Sequence, residues 1–283
     1  MNTQEFLLIS HRGYGKSALP RYAKSNKKIQ VLNTLTGFEI GIETGANALE
    51  IDLCVAADGE IVTHHLLPGA SIKSSQAYLQ KNPEALTLNE LGEWFSHQDK
   101  RLVLYLELKS YIAVNVFVEI FRGSLDRVVL YTQNKQWIQS LISEKQEMKF
   151  KTDDIKLSFV TNTLITKRLI QEMASFGSKE SRVWAIEQGM MPWGLIYPIF
   201  KIKSLKAYIA KCIKFAHKNN ILYLVGTIND VAVAENLIEM GINGIVPDDV
   251  TPFRNLINSS LRPHYYIPNG CKKRLVTKYH SSN

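Results

Sequence analysis

The sequence predicts an α/β fold, a single (β/α)8 TIM barrel with its active site at the C-terminal ends of the strands. Three observations predict it. Eight short apolar runs alternate along the chain with about eight helical patterns, which implies parallel strands joined by crossover helices. No change of composition divides the 283 residues, and eight strand–helix units fit the usual size of such a barrel. The polar residues that could carry chemistry all fall where a strand ends. A doubly wound open sheet is the competing architecture, and periodicity alone does not separate the two.

Phe6–Ser10 forms the first strand and runs directly into His11-Arg12-Gly13. A basic loop follows to about Val31, and Thr34–Gly45 reads as a helix stopped by Gly45. The next stretch, Ala48–His65, organises the rest. It begins as an apolar strand carrying Glu50 and Asp52, turns on Asp58-Gly59, and climbs through Glu60–Thr63 to His64 and His65. Side chains two apart on a strand share a face, so Glu50 and Asp52 converge while Leu49, Ile51 and Leu53 pack the other way. Two acids in an oily strand are costly unless a cation lies between them, and a hard divalent ion, Mg2+ or Ca2+, takes carboxylate oxygens.

An irregular segment follows the imidazoles, then a helix over Leu88–His97 and a buried strand over Arg101–Leu108, closed by Glu107-Leu108-Lys109. Tyr111–Phe121, Gln136–Gln146, Leu164–Phe176 and Ser204–Lys218 read as helices, alternating with strands at Arg127–Tyr131, Lys156–Val160, Arg182–Ile186 and Ile221–Val225. The helix Val231–Met240, the strand Asn243–Val246 and a last helix at Thr251–Ser260 complete the pattern. The barrel occupies residues 1–261, and 262–283 form a basic C-terminal tail.

Composition narrows the class. Hydrophobic residues make up 45% and charged residues 21%, as in a soluble globular protein, and no apolar run reaches the length of a transmembrane segment. Neither a basic n-region nor a long h-region opens the chain. The three cysteines, Cys54, Cys212 and Cys271, are far apart and odd in number, which disfavours a disulfide framework or a thiolate zinc site and suits a cytoplasmic location. Net charge is +8, concentrated in Leu7–Leu32, which holds six cations and no acid, and in the tail. Such stretches suit anionic substrates or a lipid surface, and the plainer reading is a solvated loop and a solvated tail. Nucleic-acid binding is disfavoured because no recognition motif accompanies the charge.

In order, His11-Arg12-Gly13, Asn33-Thr34, Glu50-Ile51-Asp52, Asp58-Gly59 with His64, and Glu107-Leu108-Lys109 resemble the glycerophosphodiester phosphodiesterase family, within the phospholipase C-like phosphodiesterase barrels. Thr227-Ile228-Asn229 and Gly241–Val246 with Asp248 resemble its closing elements. The resemblance is dense over Leu8–Lys109 and thin from there to about Asn220. It implies metal-dependent hydrolysis of glycerophosphodiesters to glycerol 3-phosphate and an alcohol. Glu50, Asp52 and Glu107 would be the metal ligands, His11 and His64 the acid/base pair, and Arg12 and Lys109 the phosphate-binding cations. The chain departs from the family at Leu32, His65, Gly226 and Pro247 and in the length of the basic loop. The basic loop Lys16–Lys28 and the departures at Leu32, His65 and Gly226 leave room for a phospholipase D-like enzyme of the sphingomyelinase D or lysophospholipase D kind on the same barrel. The rival from another class is a catalytically silent barrel that binds anions or lipid head groups.

Each residue also has a plainer reading. Glu50 and Asp52 could be strand-end acids paired with Arg or Lys, and Lys109 could serve only to neutralise Glu107. Asn33 could be a helix N-cap. His65 reads as exposed and idle. Trp184, Trp193, Tyr197 and Phe200 read as core or rim aromatics, with an apolar wall for a lipid-like or choline-like leaving group as the functional alternative.

Overall fold

The computed structural model describes residues 6–14, 31–66, 70–148, 155–177, 183–189 and 203–254. The strands are β1 (Leu7–Ser10), β2 (Ala48–Val55), β3 (Ile61–Thr63), β4 (Val103–Leu108) and β5 (Val128–Thr132), then β6 (Lys156–Thr161), β7 (Ala185–Gln188), β8 (Leu222–Gly226) and β9 (Gly244–Val246). The helices are α1 (Leu35–Glu43), α2 (Ser75–Lys81), α3 (Leu88–Ser96) and α4 (Val114–Ile120), then α5 (Lys135–Glu147), α6 (Lys167–Ser175), α7 (Lys203–Lys218) and α8 (Val231–Glu239).

Closure decides the architecture. The strands run in the order β1-β9-β8-β7-β6-β5-β4-β2, and β1 also pairs with β2, so eight parallel strands meet end to end and the open sheet is excluded. β3 pairs antiparallel with β2 outside this ring, through the Asp58-Gly59 turn read in the sequence. The crossover helices lie on the outside, because each strand turns alternate residues to the two faces. Leu49, Ile51, Leu53, Leu104, Leu106, Leu130, Leu157 and Ile186 face the helices in one continuous core. Burying each contributes about 1.5–3 kcal/mol, so this outer layer rather than the polar rim holds the barrel closed. The inner face carries Leu7, Ile9, Ala48, Tyr105, Val129, Tyr131, Val160, Ala185, Leu222, Leu224 and Val246.

Most elements fall where the periodicity puts them, with three differences. α2 lies in the segment read as irregular; Ser74 caps it by accepting from the Ala77 amide, a local signal too short for a helical period to reveal. β7 begins and ends later than the Arg182–Ile186 strand, so that Glu187 and Gln188 belong to it. The cap of α1 is Thr34, which accepts from the Gly37 amide, and not Asn33. Trp184 lies just before β7, at the end of the barrel opposite the polar rim, with Lys156 over its ring. Residues 15–30 of the basic loop, the aromatics Trp193, Tyr197 and Phe200, Cys271 and the tail lie outside the described residues.

Candidate active site

His11-Arg12-Gly13 leaves β1 in a tight turn. Arg12 and Gly13 have φ of 54° and 78°, and a Cβ on Gly13 would lie 2.5 Å from Phe38 Cδ1, so glycine is required where the turn meets α1. The turn is fastened to β2. The Gly13 amide donates to the Glu50 carbonyl at 3.1 Å, and the Arg12 amide donates to Glu50 Oε2 at 2.7 Å. The same residues that end the first strand therefore orient the first carboxylate of the second.

Glu50, Asp52 and Glu107 come together. One carboxylate oxygen from each lies within 4.8 Å of the others, and all three side chains are buried. Strand register produces this: Glu50 and Asp52 share the inner face of β2, and Asp52 stands opposite Glu107 of β4. Lys109 Nζ is 2.5 Å from Glu107 Oε1 and 3.0 Å from Asp52 Oδ1, and Arg12 Nε is 3.2 Å from Asp52 Oδ2. Lys109 thus offsets both acids, while Arg12 serves Asp52.

Asn33 is not a cap but a clamp. It donates to Asp52 Oδ2 at 2.8 Å, accepts from the Asp52 amide at 2.9 Å, and its carbonyl accepts from the Thr63 hydroxyl at 2.9 Å. Its φ of 56° is a conformation asparagine tolerates better than most residues.

Two further residues escape a motif reading. The Tyr131 hydroxyl lies 2.9 Å from Glu50 Oε1 and 3.0 Å from Glu107 Oε2, bridging two of the three carboxylates from β5. Glu187, buried on β7, adds a fourth acid that interacts with Glu50 and Glu107. Its Oε1 occupies space that a side chain at position 226 would need, so Gly226 makes room for it. The available signal was parity: Tyr131 and Glu187 stand two residues beyond the inward-facing Val129 and Ala185.

The electrostatics follow from burial and neighbours. Burial, then the charge of Asp52, raises Glu50 to about 7. Glu187 is pushed up to about 8 by burial and by Glu50 and Glu107. Glu107 is raised by burial despite Lys109. Asp52 is lowered: burial opposes its charge, but Lys109, Arg12 and Asn33 together outweigh that. Four acids thus face two permanent cations in a site too dry to tolerate the excess negative charge.

His11 Nε2 is 3.9 Å from Glu50 Oε2, and its Nδ1 is 2.6 Å from Asp248 Oδ1. Asp248 in turn accepts from Asn229 Nδ2 at 2.6 Å. His64 donates its backbone amide to the Asp52 carbonyl and so stands at the end of the same strand pair. His65 is half-buried rather than exposed, and it interacts with Asp52, Arg12, Lys109 and His11, so it borders the site that the sequence reading left it out of.

A hard divalent cation fits this donor set. The three neighbouring carboxylates form an oxygen-only cluster, and the surplus of buried acid over the charges of Arg12 and Lys109 is what a dication would balance.

No family model matches the chain, and no curated protein matches it by sequence. Solved structures match it in fold. The glycerophosphodiester phosphodiesterase of Thermotoga maritima superposes with a TM-score of 0.61 at 19% identity, covering 90% of this chain and 100% of its own. That of Parabacteroides distasonis gives 0.62 at 19% identity, covering 92% and 100%. An Oleispira antarctica phosphodiesterase in complex with the product sn-glycerol-3-phosphate gives 0.60 at 16% identity, covering 92% and 97%. The chain therefore has the closed parallel barrel of solved glycerophosphodiester phosphodiesterases, with its acids and imidazoles gathered at the C-terminal rim.

Proposed function

We propose that this chain is a metal-dependent phosphoric diester hydrolase that cleaves glycerophosphodiesters to glycerol 3-phosphate and an alcohol. The observation that carries the reading is the trio Glu50, Asp52 and Glu107 within 4.8 Å, bounded by His11 and by the strand end that bears His64. The fold it shares with phosphodiesterases, one of them holding sn-glycerol-3-phosphate, supports the substrate class.

A phosphodiester is anionic and repels nucleophiles, so hydrolysis needs positive charge against its oxygens. Arg12 and Lys109 supply it at the rim; Asp52 and Glu107 hold Lys109 in place. A bound Mg2+ or Ca2+, held by Glu50, Asp52 and Glu107, would polarise the phosphoryl oxygen as a Lewis acid. The two imidazoles divide the proton transfers as the oxygen of water bonds to phosphorus and the P–O bond to the alcohol breaks, one taking the proton of the attacking water and the other protonating the leaving alkoxide, each transfer worth about 10²–10⁴-fold. Asp248 stabilises the cationic form of His11 through Nδ1. Among the described residues no helix is long and apolar enough to cross a membrane. Cys54 and Cys212 are free and buried, which supports the reading of a reducing, cytoplasmic compartment.

The test is turnover of glycerophosphocholine, glycerophosphoethanolamine, lysophosphatidylcholine and sphingomyelin with Mg2+ or Ca2+ and with a chelator. Glycerol 3-phosphate should appear from the two deacylated substrates and stop with the chelator. Preference for an acylated substrate would replace this reading by the phospholipase D-like one, and chelator-resistant turnover would remove the metal.

A further inference from the structure

We propose that Tyr78 is the positioning residue of His64: its hydroxyl bridges the Thr63 carbonyl and His64 Nδ1, fixing the imidazole as its Nδ1–H tautomer with Nε2 as the proton-accepting nitrogen. The inference rests on the phosphodiesterase reading for its effect on rate; the tautomer itself does not.

Tyr78 is brought there by α2. Asp58 Oδ2, in the turn of the β2–β3 hairpin, accepts from the Ser75 amide at 2.8 Å and from the Ser75 hydroxyl at 2.9 Å, tying the first residue of the helix to the hairpin. Tyr78 and Leu79 then pack on Cys54, Val62 and Ile72. Cys54 lies two residues beyond Asp52 on β2 and pairs with Val62, two residues before His64, so α2 covers the strand face on which Asp52 and His64 stand. The Tyr78 and His64 rings meet with centroids 4.8 Å apart at 57°.

The proton assignment follows from what each atom can do. The Tyr78 hydroxyl is 3.2 Å from the Thr63 carbonyl oxygen and 3.0 Å from His64 Nδ1. A carbonyl only accepts, so the single phenolic proton goes to Thr63 and the hydroxyl oxygen faces Nδ1 with a lone pair. Nδ1 must then carry a hydrogen. Burial holds the phenol near 12, so Tyr78 remains a neutral hydroxyl throughout the physiological range. His11 differs in kind, because its Nδ1 faces the Asp248 carboxylate, which stabilises an imidazolium, whereas a phenol only orients the ring. The two imidazoles are thus set up differently by their partners.

The experiment is tautomer determination by long-range 1H–15N correlation on the labelled full chain without substrate at ~pH 8.5, above the ordinary imidazole range. The His64 signals are identified by their loss in His64→Asn. Wild type should show a protonated Nδ1 and a bare Nε2. Tyr78→Phe, which keeps the ring and loses the hydroxyl, should move His64 toward Nε2–H and lower kcat about 10–100-fold with KM nearly unchanged. A bare Nδ1 in wild type overturns the inference without any variant. So does a Tyr78→Phe protein that keeps the Nδ1–H tautomer or full kcat. Turnover of glycerophosphocholine by a wild type whose His64 is Nε2–H overturns this inference alone. No turnover with His64 as Nδ1–H overturns the phosphodiesterase reading and upholds the tautomer.

Discussion

His11 Nδ1 and Asp248 Oδ1 are 2.6 Å apart although 237 residues separate them in sequence, and Asp248 is itself held by Asn229. The imidazole that follows the first strand is therefore oriented by a carboxylate that follows the last strand of the barrel, which ties the geometry of the candidate site to closure. Asp248→Asn keeps the shape but loses the charge that stabilises the protonated ring. The expected result is a fall in kcat of about 10–100-fold with an unchanged circular dichroism spectrum. Full activity in that variant would detach Asp248 from the chemistry.

Glu50→Gln separates metal binding from folding. Burial and the charges of Asp52 and Glu107 oppose ionisation of Glu50, so in chelator the variant should melt above the wild type. Saturating Mg2+ or Ca2+ stabilises a protein that binds it by about 2.7 kcal/mol at a hundredfold excess over Kd. Calorimetry with and without the ion should show that gain in the wild type and little of it in the variant. Equal gains would take Glu50 out of the ligand set.

Glu187 should govern how the stability of the metal-free protein changes up to about pH 8. Its folded-state value of about 8 lies above the ordinary 4.5, so between those pH values the native chain holds a proton that the unfolded chain has released. Stability therefore declines as pH rises from 4.5 to about 8 and levels off above. Glu50 contributes to the same decline only up to about 7. Glu187→Gln should flatten the curve most clearly between pH 7 and 8, read by urea unfolding in chelator at a series of pH values. An unchanged slope would show that the carboxyl is ionised in the folded protein.

Asn33→Ala removes two hydrogen bonds from Asp52 and places alanine at a φ of 56°. Buried groups left unsatisfied and a left-handed non-glycine residue together should cost about 2–3 kcal/mol in urea denaturation. A loss within the error of the measurement would mean that Arg12 and Lys109 hold Asp52 unaided.

How much of this was legible in the chain depends on whether a residue's role was local. The eight inner strands and most helices follow from period-2 and period-3.6 patterns, and Glu50, Asp52, Glu107 and Lys109 could be placed at the rim because strand ends are visible in sequence. For Asn33 a cap and a place in the site were equally open, since the partner that decides between them lies 19 residues away. Tyr131 looked like the end of an apolar strand. Glu187 fell just past a strand drawn two residues short. Tyr78 sat in a segment whose one short helix has no buried residue to give it a periodic face.

By itself the sequence determined which residues alternate inward and outward, where strands end, and which ionisable groups those ends could present, because backbone geometry turns residue spacing directly into direction. Only the tertiary structure decided that the sheet closes, that His11 meets Asp248, and that Tyr78 meets His64. Those are contacts between segments whose separation along the chain carries no period, so they arise when packing of the outer apolar layer brings distant strands into one ring.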